Sequence, residues 1–168
     1  MFKFERLAKH HDRAGFDCGV APLNHYLREI ATQHEAKGIA RTYVIVDEAN
    51  DAIISGYLTL TFCQVTGGTL PPAVAKKLPQ QIPAMRLARL AVAKAQQRQG
   101  IGHMLLSYAF QMVERAEKIA GGVGLFVDAK DAEAACYYSQ FGFVPLEGEP
   151  LTLFLPIQTI RQHNAEIG

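Results

Sequence analysis

Tryptophan is absent from the 168 residues, and the three cysteines (Cys18, Cys63 and Cys136) stand far apart with no CxxC pair. An odd, scattered set argues against a disulfide framework and offers no zinc-site spacing. No apolar run approaches the ~18 residues of a membrane-spanning helix. The opening MFKFERLAKHHDR lacks the apolar stretch of a secretory signal. There is no internal repeat and no low-complexity tract. With 49% hydrophobic and 20% charged residues, these absences lead us to expect one soluble domain over 1–168, away from the membrane and in the cytoplasm.

A more local absence concerns acids. From Ala52 to Val113 there is no Asp or Glu, while Lys76, Lys77, Arg86, Arg89, Lys94 and Arg98 all fall inside. The net charge of +1 by itself predicts no polyanionic partner. A stretch of one sign can still focus positive potential on one face and attract an anion, unless folding scatters the six cations.

FKFERL reads as a first strand. In APLNHYLREIATQHEAKG, Leu23, Tyr26, Leu27 and Ile30 fall at helical spacing and Lys37-Gly38 closes the segment. RTYVIVDE and AIISGYLTLTFC, rich in β-branched and aromatic residues and separated by Ala49-Asn50-Asp51, read as an antiparallel hairpin. Residues 64–84 hold four prolines and two glycines around one short helix, a loop long enough to be functional. MRLARLAVA is then a strand, followed by a helix through about Ile119, and GGVGLFVDA is a further strand. DAEAACYYSQFGF is a helix opened by Asp131 and closed at Gly142. VPLEG and LTLFLPI form a closing pair of strands. The order β, α, β-β-β, α, β, α, β-β predicts an α+β fold with helices on a mixed sheet.

AKAQQRQGIGHMLLSYAF (93–110) places Gly100 and Gly102 where that long helix starts. Glycine within a helix costs about 1 kcal/mol relative to alanine, so the pair implies that something approaches this backbone closely. First-turn amides lack an intrahelical acceptor, and the helix dipole adds positive potential. A phosphate fits there, glycines remove the obstructing Cβ, and Arg98 adds a full charge. The loop is neither G-x-G-x-x-G, since Leu105 stands third after Gly102, nor a P-loop, since no GK[ST] follows.

Gln97-Arg98-Gln99-Gly100-Ile101-Gly102 resembles the Q/R-x-x-G-x-G/A motif of the GCN5-related N-acetyltransferases (GNAT). ACYYSQFGF resembles that family's A..(F/L)Y...GF element, and the order of elements agrees over most of residues 40–145. The resemblance implies a mostly antiparallel sheet, splayed by a bulged strand, with helices on both sides. It also implies that Gln97 to Gly102, with the backbone amide of His103, hold the pyrophosphate of acetyl-coenzyme A (acetyl-CoA). The backbone around Leu90, Ala91 and Val92 would bond the pantetheine arm and polarise the thioester.

In such enzymes a neutral amine attacks the thioester carbonyl and a thiolate departs, needing a carbonyl donor and a proton. Tyr138, four residues before Gly142, has the spacing of the family's proton-donating tyrosine; Tyr137 lies one place early, on another face. Two departures stand out. Asp131 sits where the family often has Asn, and MRLARLAVA has Arg86 and Arg89 but no carboxylate base. That lack favours an acceptor of low pKa, such as an α-amine near 8 rather than a lysine near 10.4.

GFDCGVAPLNHYL further resembles the F.C....L..FL opening of the acetyltransferase toxins that act on charged transfer RNA. TYVIVDE, ISGYLTLTF, KKLPQQIPAMRLARLAV and LFLPIQTI look like that subgroup too. The resemblance implies an aminoacyl-tRNA acceptor, a ribbon-helix-helix antitoxin and a homodimer. Lys76, Lys77, Arg86, Arg89 and Lys94 become candidates for contact with RNA backbone, although no aromatic–basic interleaving for base stacking is visible. Two other readings stay open: an acetyltransferase of a small amine or protein N-terminus, and an acetyl-CoA-binding module without catalysis. No metal is expected. His10, His11 and His34 read as solvated surface, and Cys136 as a small buried residue.

Overall fold

A computed structural model describes residues 1–76 and 78–167, so the candidate Lys77 lies outside the described residues. The strands are β1 (Phe2–Arg6), β2 (Arg41–Asp47), β3 (Asn50–Thr66), β4 (Gln81–Val92), β5 (Gly124–Asp128), β6 (Val144–Leu146) and β7 (Glu149–Pro156). The helices are α1 (Ala21–His25), α2 (Ala31–Ala36), α3 (Pro72–Ala75), α4 (Ile101–Ala120), α5 (Ala132–Ser139) and α6 (Ile157–Ile167). The sheet order is β1-β2-β3-β4-β5-β7-β6. Of the described registers only β4 against β5 is parallel, from Met85↔Leu125 to Leu87↔Val127. The others are antiparallel, as expected for this α+β class.

The chain forms two compact units, Met1–Thr61 with Ala88–Tyr108 and Phe62–Leu87 with Ala109–Gly168, and β3, β4 and α4 run through both. In the first unit Phe16, Tyr26, Leu27, Val44, Tyr57 and Ala91 belong to one buried apolar cluster. In the second, Leu70, Ile82, Ala84, Phe126, Leu146 and Phe154 form another. Buried positions in β4 are Ile82 and Ala84, then Leu87 and Ala91. The parity changes, so the strand switches the face it buries along its length.

Three expectations are corrected. The segment read as a loop over 64–84 is shorter, because β3 continues to Thr66, where Cys63 and Val65 pack on the second cluster, and β4 already starts at Gln81. The helix at 21–38 contains a π turn at Tyr26–Ile30 between α1 and α2, which a 3.6-residue period does not anticipate. Helix α6 was missed altogether; it packs on β5 and β7 with Ile160 fully buried.

Candidate active site

In the first unit the end of β4 is held by backbone bonds, with Ala93 N–H donating to Ser55 O (2.9 Å) and Lys94 N–H to Asp17 O (2.8 Å). The chain then turns through a 3-10 helix at Lys94–Gln96. The Gln97 side-chain amide donates to Cys18 O (3.2 Å) and Val92 O (3.1 Å). Gln97 therefore ties the loop to its scaffold. Arg98 (φ 66°) and Gly100 (φ 81°) both sit in the left-handed region, which costs glycine nothing and arginine of order 1–2 kcal/mol. That curl leads the backbone into α4, whose first turn closes with Met104 N–H donating to Gly100 O at 3.1 Å.

Arg98, Gln99, Gly100 and His103 are exposed. Ile101 is buried and anchors the start of the helix, while Gly102 is half-buried. A Cβ built on Gly100 would meet nothing within 4 Å, so the glycine serves backbone conformation and access rather than packing. An exposed arginine just ahead of the first turn of a 20-residue helix fits a phosphate-bearing group. Below it, Gly56 of β3 lets β4 come close. A Cβ there would stand 2.9 Å from Ala91 O and 3.0 Å from Leu105 Cδ1. Sequence reasoning passed over Gly56, although a glycine inside a β-branched run signals such a close approach.

In the second unit α5 starts on Asp131, whose Oδ1 accepts the Ala134 amide at 2.8 Å. The departure from Asn is thus a sound N-cap. The helix ends toward Gly142 at φ 98°. Tyr138 is 9% exposed, its ring edge-on to Phe143 and to Tyr137 at 5.5 Å each. Burial, with a smaller contribution from Tyr137, pushes its phenol up to about 12. The hydroxyl is therefore a proton carrier throughout the neutral range. Burial raises the Tyr137 phenol as well, and that ring turns to Phe141.

The candidate RNA-binding cations do not share one environment. Arg86 is ion-paired to Asp128 and lies 5.8 Å from the Phe126 ring centroid; Thr152 donates to the other carboxylate oxygen at 3.1 Å. Lys94 reaches Asp17 at 3.7 Å, and Lys76 is exposed. Arg89 is half-buried and stacks on Tyr26 with its guanidinium carbon 4.0 Å from the ring centroid. The acids that answer Arg86 and Lys94 come from outside the acid-free stretch, which linear charge counting cannot foresee.

Two smaller expectations are corrected. Cys136 is exposed rather than buried. His11 is buried rather than solvated: its Nδ1 accepts the Ala8 amide at 2.9 Å, and its Nε2 faces Glu5 Oε1 at 3.1 Å. Glu5, His10 and His11 present ligand atoms within 4.8 Å of one another. The Ala8 amide, however, uses the Nδ1 lone pair, so the ring proton lies on Nε2 and is donated to Glu5. This hydrogen bond is the leading cause that holds the Glu5 carboxyl below its usual range. His34 is half-buried, its Nδ1 3.0 Å from the Tyr26 hydroxyl.

Residues 38–145 match the acetyltransferase (GNAT) domain family. The chain belongs to the GNAT acetyltransferases. A tRNA-acetylating toxin of Mycobacterium tuberculosis (strain ATCC 25618 / H37Rv) is 29% identical over 156 residues, 93% of this chain and 92% of the relative. Among solved structures, a Tyr-to-Phe variant of KacT is 35% identical with a TM-score of 0.89, over 96% of this chain and 98% of that one. AtaT complexed with acetyl-methionyl-tRNAfMet is 31% identical with a TM-score of 0.89 and the same coverage. Other AtaT structures hold acetyl-CoA or the C-terminus of the antitoxin AtaR, and KacTA has been solved with DNA.

Proposed function

We propose that this chain, acting as one domain over 1–168, transfers the acetyl group of acetyl-CoA to the α-amine of aminoacyl-tRNA, as the toxin of a toxin–antitoxin pair. The observation that carries the reading is the Arg98–Gly102 curl at the head of α4, in a GNAT chain whose relatives include a tRNA-acetylating toxin. The open space at Gly100 and the exposed Arg98 suit a pyrophosphate. Arg98 and Gln99, with the amides of Gly100, Ile101, Gly102 and His103, hold it, while Gln97 keeps the loop in shape. The backbone of Leu90, Ala91 and Val92 bonds the pantetheine arm and orients the thioester carbonyl. Tyr138 gives its phenolic proton to the departing sulfur. Solved relatives carrying a Tyr-to-Phe change support that role, which rests here on the four-residue spacing to Gly142.

Acetyl-CoA supplies the activated acetyl group. A thioester is reactive enough toward a neutral amine that no acyl-enzyme is needed, and the exposed Cys136 has no part. The α-amine of an amino acid esterified to RNA is partly neutral at pH 7.5, which matches a β4 strand without carboxylates. The partners are an antitoxin of ribbon-helix-helix type and a second copy of the chain, in the cytoplasm; no helix of the described residues is long and apolar enough to cross a membrane. The test is cell-free translation with purified protein. Synthesis should stop only when acetyl-CoA is added, resume with fresh charged tRNA, and be unaffected by Tyr138→Phe protein. Arrest without acetyl-CoA, or no recovery with fresh charged tRNA, would refute the reading.

A further inference from the structure

The cation at Arg89 is left over once the fold has been accounted for. Arg86 and Lys94 are answered by Asp128 and Asp17, but Arg89, half-buried like Arg86, forms no ion pair with any described residue. Its polar contact is a long 3.4 Å approach of Nη1 to Ala88 O. Partly burying a guanidinium without a counter-charge is unfavourable, so its place needs a reason.

The surroundings hold it in one pose. The guanidinium lies over the Tyr26 ring at 4.0 Å, a cation–π stack. Tyr26 is 2% exposed and is fixed from its other end by His34, 3.0 Å from the hydroxyl. It also opens the π turn Tyr26–Ile30, a local unwinding found often at functional sites. A stacked guanidinium keeps its edge donors available, and these match the paired oxygens of a phosphodiester. Arg89 lies one to three residues before Leu90, Ala91 and Val92, ~3–10 Å along the strand, in the same unit.

We propose that Arg89, propped on Tyr26, determines acceptor specificity by binding the terminal phosphodiester of the charged RNA, so that an acceptor is selected by carrying a phosphate near its amine. This rests on the aminoacyl-RNA reading and goes beyond it by assigning a residue to the 3′ end. The acceptor amine sits at the thioester beside Leu90–Val92, and the next phosphate of the RNA falls to the neighbouring residue of the same strand. Arg89 moves no proton and is a positioning residue.

The experiment compares two acceptors that differ by that phosphate, an aminoacyl-adenosine and an aminoacylated CCA trinucleotide. With the trinucleotide, Arg89→Ala should raise KM about tenfold or more, the usual order for a charge-assisted hydrogen bond, with kcat nearly unchanged. With the adenosine, KM should not move. Arg89→Lys should recover part of the loss, and Tyr26→Leu, which removes the platform, should reproduce it. Acetyl-CoA affinity, measured by titration calorimetry, should stay level in every variant and also certifies folding. Equal effects on both acceptors, or none on either, would overturn the assignment. If the wild-type protein acetylates neither, the aminoacyl-RNA reading fails. Fluorescence anisotropy with labelled CCA then still decides the phosphate site, since binding that Arg89→Ala leaves unchanged refutes it.

Discussion

Replacing Tyr138 by Phe separates chemistry from packing because the ring stays and one oxygen goes. The ring is buried, edge-on to Phe143 and Tyr137, and Phe preserves both contacts. The hydroxyl makes no hydrogen bond to another described residue, so none is broken, and the change should move stability by less than about 0.5 kcal/mol, within the range of benign substitutions. A positioned proton donor is worth about 10²–10⁴ in rate, or roughly 3–5 kcal/mol of transition-state energy. Steady-state acetyl transfer should therefore show kcat down by at least two orders of magnitude, with acetyl-CoA affinity and Tm close to wild type. A variant with unchanged kcat would refute the proton-donor role. So would one whose activity falls only in step with Tm.

Gly102→Val should abolish acetyl-CoA binding in a calorimetric titration by placing a branched side chain against the pyrophosphate, while far-UV circular dichroism stays native; undiminished affinity would remove the loop from the account. Asp131→Ala should cost about 1 kcal/mol of stability through loss of the α5 cap, with Asp131→Asn close to wild type in denaturant melts. Burial keeps the Tyr138 phenol protonated to about pH 12 in the folded chain, against about 10 unfolded. The folded state then holds more protons between those values, so up to about 3 kcal/mol of stability present below pH 10 should disappear by pH 12. Tyr26, Tyr57 and Tyr137, also raised by burial, deepen that fall. For the same reason the pH–rate profile should rise with deprotonation of the acceptor amine and show no decline below pH 10. A falling limb near pH 8 that Tyr138→Phe abolishes would contradict this.

What could be read from the sequence was local. Gly100 adopts φ 81° where close backbone approach was argued, and Asp131 caps where a cap was expected. Strand β4 was found, but its start at Gln81 was hidden because Pro79 and Pro83 suggest a loop when Ile82 and Ala84 are not known to be buried. Helix α6 escaped because LTLFLPI reads as a closing strand and the segment after it is largely polar. Its burial rests on β7, which runs directly into it, and on β5, which is distant in sequence. Tertiary pairings were beyond reach altogether. Arg86 with Asp128 spans 42 positions, and Gln97 with Cys18 spans 79. Arg86 and Arg89, three residues apart and alike on paper, differ because one meets a carboxylate and the other a phenol ring.

The central claim is that an acetyl group leaves acetyl-CoA for the α-amine of an amino acid esterified to RNA. The direct measurement is mass spectrometry of the 3′-terminal aminoacyl-adenosine, released by nuclease after reaction of the protein with acetyl-CoA and total charged tRNA, with deacylated tRNA, spermidine and a lysine peptide as parallel acceptors. The account predicts N-acetylaminoacyl-adenosine from charged tRNA, no acetyl product from the other three, and loss of the product with Tyr138→Phe. Acetylated spermidine or peptide, with the aminoacyl-adenosine unmodified, would contradict it.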